Sequence, residues 1–220
     1  MEKGEMPINQ IWHKFMFSTA FNEEQYMKYY TPKKGDVVVD AGAHVGIFTR
    51  KFSELVGDTG KVFAFEPDYR AIGFLTLNTE DQNNIKICPY ALWDKDCLLQ
   101  FYLLPKNLGI SSCVLEYKDG ETYPVRAYRL DTFLKEYDIE KVNFIKMDIE
   151  ASELHALEGM VETLKNVDAV AIAAYHKLDP FNRDSKGTYD LVIERLKSIA
   201  DWDIKMELGH DGEIVYANRI

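Results

Sequence analysis

Asp148 and Glu150, in "NFIKMDIEASE", follow an apolar run and precede a helix-like pattern, and His176 closes another apolar run, "AVAIAAYH". A carboxylate beside a reacting centre orients a nucleophile or balances a cation, and histidine has the pKa range of a general base. Asp40 and Glu66 end two earlier runs, "VVVD" and "KVFAFE". In an open parallel sheet the ligand lies beyond the carboxyl ends of the strands, so Asp40, Glu66, Ala91, Asp148 and His176 are the positions to watch. Each has an ordinary alternative. His176 reads equally as a polar strand terminus at the surface. Glu150 and Glu153 suit the first turn of a helix, where the dipole favours acids, and for Glu153 that reading is preferred. Asp148, Glu150 and His176 around one divalent metal form a lesser alternative, because their separations match no known ligand spacing.

The turn after the first run, Gly42-Ala43-His44-Val45-Gly46, narrows the choice of ligand. A dinucleotide site needs glycine where His44 stands, so that backbone can approach a pyrophosphate. A P-loop needs a Gly-Lys-Ser/Thr that is missing here. What remains suits a ligand without phosphates. Glu66, followed by Pro67, is placed to accept hydrogen bonds from two ribose hydroxyls. An adenosine bearing an amino acid, S-adenosylmethionine, meets these conditions, and its ammonium and sulfonium suit the acids Asp40, Glu66 and Asp148. Tight strand–helix packing without a ligand is the plain alternative for the glycines.

The elements that must hold these residues alternate. A helix is expected from Asn22, as N-cap, to Tyr30; a strand over Val37–Asp40; and a helix over about Gly46–Leu55. "KVFAFEP" is a second strand and "DYRAIGFLTLNTED" a helix capped by Asp68. "IKICPYAL" is a third strand, weakened at Pro89. Residues 98–130 change character, with strand-like "LLQFYLL", "SSCVLEY" and "TYPVRAYRL" between glycine turns. "LDTFLKEY" is a short helix, "VNFIKMD" a fourth strand, "SELHALEGMVETLKN" one helix, "AVAIAAYH" a fifth strand and "TYDLVIERLKSIA" a long helix. "DIKMEL" and "EIVYAN" form a closing hairpin across His210-Asp211-Gly212. The fold class expected is α/β: a doubly wound, mostly parallel Rossmann-like sheet with a C-terminal antiparallel hairpin and a β-rich insertion at 98–130. Residues 1–35 read as an aromatic arm or lid and 36–220 as the cofactor domain.

The bulk numbers exclude several classes. The chain has 220 residues, enough for one α/β domain. With 26 Lys+Arg against 36 Asp+Glu, its net charge of -10 disfavours nucleic acid as a partner. Cys88, Cys97 and Cys113 show neither a Cys-x-x-Cys nor zinc spacing, which suits reduced thiols in a cytoplasmic protein. No leader or membrane-length apolar run is visible, so no membrane partner is expected, and the state is read as monomer or homodimer.

"VVVDAGAHVGIFTR", "VFAFEPDYRAIGFLTLN", "YAL", "RLDTFL" and "NFIKMDIEASELHALEGM" resemble, in order, the FkbM-type S-adenosylmethionine-dependent methyltransferases, over about Val37 to His176. The resemblance implies methylation of a hydroxyl on a small molecule, such as a sugar or natural-product intermediate. It maps cofactor contacts onto Asp40, Gly42, Gly46, Glu66 and Ala91, with Asp148 beside the methyl group; Ala43, His44 and Pro67 adjoin these as further cofactor-binding candidates, His44 also reading as a structural lining of the turn, and the strand ends supply Asp148, Glu150 and His176 as candidate catalytic residues. Ala151 replaces a glycine usual in the family, and Ala174 replaces a glutamate. Acceptor choice is expected in the aromatic arm (Trp12, Phe15, Phe17, Phe21, Tyr26, Tyr29, Tyr30) and around Gly109-Ile110-Ser111-Ser112. A protein or RNA methyltransferase, or a module that binds the cofactor without turning it over, are the alternatives.

Overall fold

Three consecutive valines favour extended backbone, and Val37–Ala41 forms the strand from which the molecule is built, β1. The computed structural model describes residues 24–104, 107–116, 120–175, 187–209 and 212–220. β1 pairs in parallel with β2 (Lys61–Phe65) on one side and β8 (Phe144–Met147) on the other. β3 (Ile85–Cys88) extends the sheet beyond β2, and β9 (Ala169–Ala173) beyond β8. β11 (Glu213–Arg219) then runs antiparallel between β9 and the edge strand β10 (Trp202–Leu208). The order is β10-β11-β9-β8-β1-β2-β3, so the chain reverses its direction of progression between β1 and β8.

Strand alternation divides the core into two faces. Val38, Val62 and Phe144 point to the face covered by α1 (Ile47–Val56), through Phe48, Phe52 and Val56. Leu75 of α2 (Tyr69–Thr79) packs with Ala43 and Ala64. Val39, Phe63 and Ile145 point to the other face, against α3 (Leu130–Glu136), α4 (Glu153–Glu158), α5 (Val161–Leu164) and α6 (Tyr189–Ile199). A second sheet carries β4 (Ala91–Leu92), β7 (Glu121–Tyr128), β5 (Cys97–Leu104) and β6 (Asn107–Ser112), in that order.

The α/β class, the mostly parallel sheet, the terminal hairpin and the β-rich insertion agree with expectation. Four details differ. Among the described residues, the helix expected up to Tyr30 is only a 3₁₀ turn, Gln25–Met27. It is held by tertiary bonds instead: Tyr216 Oη donates to Gln25 O at 2.5 Å, and Asn218 Nδ2 to Tyr29 O at 3.3 Å. The third strand stops at Cys88, and after Pro89 the pair Ala91–Leu92 joins the second sheet. The fifth strand ends at Ala173 rather than reaching His176. The helix expected after Ser152 breaks into α4 and α5 at Gly159. A Cβ there would lie 1.9 Å from the Trp93 carbonyl oxygen, so the chain passes too close for any side chain. The Asp131 carboxylate from α3 then starts α5 afresh, accepting from the Glu162 and Thr163 amides at 3.0 and 2.9 Å.

Candidate active site

A cavity of about 460 Å³ opens at the carboxyl ends of the parallel strands, beside the reversal between β1 and β8. Its size suits a small organic ligand. One wall is the turn after β1; the second sheet contributes Phe101 and Ser111, and Cys113 follows directly after β6.

The turn is shaped by close approach. Gly42 has φ +77, and a Cβ there would fall 1.8 Å from the Asp148 carbonyl oxygen. Gly46 precedes α1 with φ +92. His44 takes φ +50, a left-handed conformation costly for a residue with a Cβ. Four of the turn's five amides are already used. Gly42 and Ala43 donate to the Phe65 carbonyl, both at 3.0 Å, and Gly46 donates to Ala43 O at 2.8 Å. His44 N donates to Glu66 Oε2 at 2.7 Å. A pyrophosphate is held by free backbone N–H groups, and these four are not free. His44 keeps its Nε2 buried at the turn with no hydrogen-bond partner among the described residues. Burial, followed by the nearby Lys146 charge, lowers its pKa below the usual histidine value, so the ring is neutral at pH 7.

Glu66 follows β2 and is 6% exposed. Each carboxylate oxygen accepts one amide, His44 N on Oε2 and Asp68 N on Oε1 at 2.8 Å, and each keeps acceptor capacity for a ligand hydroxyl. Burial raises its pKa to about 7, against the two amides, which lower it. Asp68 caps α2 as expected, accepting from Arg70 N at 2.9 Å. Its carboxylate also accepts from the Arg70 guanidinium and from Ser111 Oγ at 2.9 Å, tying β6 to the ligand wall. Pro67, Tyr90, Ala91 and Leu92 continue that wall.

Asp148, Ile149, Glu150 and Ser152 line the other end, with Tyr175. Asp148 Oδ2 accepts the Tyr26 hydroxyl at 2.8 Å. Glu150 and Ala151 are both left-handed, at φ +53 and +71. Ser112 Oγ donates to the Glu150 carbonyl at 2.6 Å and accepts from the amides of Val114 and Leu115, so β6 braces this bend. Glu153 lies in the first turn of α4, fully buried, and accepts from Ile149 N at 3.1 Å.

Among the sequence-derived candidates, Gly42, Ala43, His44, Glu66, Pro67, Ala91, Asp148 and Glu150 gather on one cavity. Asp40 and Gly46 lie off its wall, Asp40 because its carboxylate points into the core. There Thr49 Oγ1 donates to Asp40 Oδ2 at 2.6 Å and Lys146 Nζ lies 3.1 Å from Oδ1. His176, His210, Trp12, Phe15, Phe17 and Phe21 lie outside the described residues. His155 stacks on Trp93 at 3.8 Å and pairs with Asp94, away from the cavity. No group of three His, Cys, Asp or Glu among the described residues is arranged to hold a metal.

Sequence reasoning missed Lys146. It is 3% exposed, and its ammonium donates to Gly42 O at 2.7 Å and Ala41 O at 3.3 Å while pairing with Asp40. The signal was present: one cation in the apolar run "NFIKMD", with an acid at the matching end of a neighbouring strand. Asp40 and Lys146 are register partners.

The chain matches the methyltransferase FkbM domain over residues 40–206, well over half its length. It belongs to the FkbM methyltransferase family. Hexuronic acid methyltransferase AglP of Haloferax volcanii is 24% identical over 149 residues, covering 67% of this chain and 59% of that protein. 2-O-methyltransferase NoeI of Sinorhizobium fredii is 26% identical over 148 residues, covering 60% of each. The chain thus spans about three-fifths of the length of these curated relatives. In fold it is similar to an FkbM methyltransferase from Methylobacillus flagellatus, with a TM-score of 0.63 and 19% identity over 89% of this chain and 47% of that one. Aeropyrum pernix fibrillarin, solved with natively bound S-adenosylmethionine, superposes with a TM-score of 0.54 at 14% identity over 86% and 69% of the two chains. The sheet order is that of a Rossmann-like methyltransferase fold.

Proposed function

We propose that this FkbM chain uses S-adenosylmethionine to methylate a hydroxyl of a small molecule, with a sugar the foremost class. The observation that carries the cofactor is the pairing of a turn with four of its five amides spent and a buried carboxylate with spare acceptor capacity on each oxygen. The first is unsuited to phosphates and the second suited to a ribose diol. His44 Nε2 and Ser152 Oγ, buried without partners among the described residues, are further polar atoms for a ligand to satisfy. The acceptor class rests on the relatives named for hexuronic acid methylation and 2-O-methylation.

When bound, the cofactor supplies a methyl group activated by an adjacent positive sulfur. The chain's own contribution is placement. Glu66 would hold the ribose, Tyr90 and Ala91 the base, and the turn at Gly42–His44 the amino-acid end. Asp148 would face the sulfonium side, and Glu150 and His176 are the candidates to take the acceptor's proton. Holding an oxygen in line at near-attack distance is worth about 7–11 kcal/mol. No helix of the described residues is long and apolar enough to cross a membrane. Three unpaired cysteines fit a cytoplasmic setting.

Calorimetry with S-adenosylmethionine, S-adenosylhomocysteine and NAD tests the cofactor. Micromolar binding of the first two, absent with NAD and abolished in Glu66→Ala, is expected. No binding to the wild type sinks the reading. Transfer of labelled methyl to a panel of sugars and uronic acids then tests the acceptor.

A further inference from the structure

The Tyr26 turn lies far from the end of β8 in sequence, yet it reaches it. Tyr26 is 3% exposed and does not border the cavity. Its ring stands edge-on to Phe48, centroids 5.0 Å apart at 89°, and Phe48 does line the cavity. The Lys146 ammonium sits 5.5 Å from the Tyr26 ring centroid and 5.7 Å from that of Phe48. The ring is thus fixed from two sides, and its backbone is pinned by Tyr216 through Gln25. From that seat its hydroxyl donates to Asp148 Oδ2 at 2.8 Å, across 122 residues of sequence.

We infer that Tyr26 is a positioning residue: it acts through Asp148, fixing the orientation of that carboxylate beside the cavity and so how the site tells a sulfonium from a neutral thioether. The inference rests on the cofactor reading above. A carboxylate joined to the chain by two rotatable bonds presents a directed charge only if something holds its plane. The Tyr26 hydroxyl holds Oδ2, and with it the plane of a carboxylate whose residue lines the cavity. The 3₁₀ turn is therefore part of the site, reaching it from behind its wall.

S-Adenosylmethionine and S-adenosylhomocysteine differ by one methyl and one positive charge at sulfur, so the ratio of their affinities reads this contact. Calorimetry on the full chain would compare wild type, Tyr26→Phe, Asp148→Ala and the double variant, with circular dichroism confirming the fold. Tyr26→Phe keeps the ring on Phe48 and removes one oxygen. It should lower the preference for S-adenosylmethionine by about tenfold, the worth of one hydrogen bond to a charged group, while S-adenosylhomocysteine binds within about twofold of wild type. In the Asp148→Ala background the same substitution should leave the ratio unchanged, since coupled residues are non-additive. An equal loss of both affinities, an unchanged or increased preference, or a shift that persists without Asp148 would overturn the inference. Failure of both ligands to bind the wild type would instead overturn the cofactor reading itself.

Discussion

Raising the pH from 6 to 8 should tighten cofactor binding, and the size of the effect follows from Glu66. Its carboxyl is buried, and burial pushes its pKa from 4.5 up to about 7; the His44 and Asp68 amides and the Lys146 charge oppose the shift, and the Asp68 carboxylate adds to it. Two ribose hydroxyls need an ionised partner with both oxygens accepting. If only that form binds, the apparent Kd scales inversely with the ionised fraction, about one in eleven at pH 6, a half at pH 7 and ten in eleven at pH 8. Affinity should therefore rise about tenfold from pH 6 to pH 8, with close to one proton released per binding event at pH 6. Calorimetry in buffers of different ionisation enthalpy measures both. The ligand-free protein should behave oppositely. A carboxyl whose folded pKa lies above its unfolded value stabilises fully below 4.5, and that contribution is lost as pH rises through about 7. The loss is on the order of 3 kcal/mol, visible as a falling melting midpoint. A flat affinity between pH 6 and 8, or tighter binding at pH 6, would refute the assignment of Glu66.

Other expectations are simpler to read. Gly42→Ala places a Cβ 1.8 Å from the Asp148 carbonyl oxygen, so it should separate β1 from β8 and abolish cofactor binding, with a melting midpoint lowered by several degrees. Lys146→Met leaves Asp40 charged and unpaired in the core, costing about 3–5 kcal/mol in urea denaturation; adding Asp40→Asn should restore part of that. Ser112→Ala removes the donor to Glu150 O and the acceptor for two amides, and should cost about 1–3 kcal/mol. Burial pushes the Cys113 thiol up to about 12, so N-ethylmaleimide at pH 8 should label it slowly, and S-adenosylhomocysteine should slow it further; mass spectrometry of the labelled peptides would report both.

Much of the site was legible because the parallel sheet puts its functional residues at strand ends. The valine run, the glycines of the turn, and Glu66 before Pro67 mark such ends without any knowledge of pairing, and Asp148 and Glu150 follow the next one. What escaped depends on contacts between distant segments. The Asp40–Lys146 pair is visible only once β1 and β8 are placed in register, and that register turns Asp40 inward. Ala91 and Leu92 continue the local pattern of β3, yet their hydrogen bonds go to β7. The apolar spacing of Leu154, Leu157, Val161 and Leu164 is helical throughout, but the Trp93 carbonyl and the Asp131 carboxylate, both from elsewhere, divide it at Gly159. Tyr26 looked like one aromatic among many in the arm, and only its 122-residue reach to Asp148 sets it apart.

The pinning of Gln25 by Tyr216 spans 191 residues, nearly the whole chain, and it sets an order of assembly. β11 lies inside the sheet, between β9 and β10, so a nascent chain that stops short of residue 213 leaves β9 as an open edge. Such an edge is a template for pairing with other chains. Until that strand emerges, the turn carrying Tyr26 lacks its bond from Tyr216. Anchoring of the Tyr26 turn is therefore late relative to its own synthesis, because it waits for a partner 191 residues further along the chain.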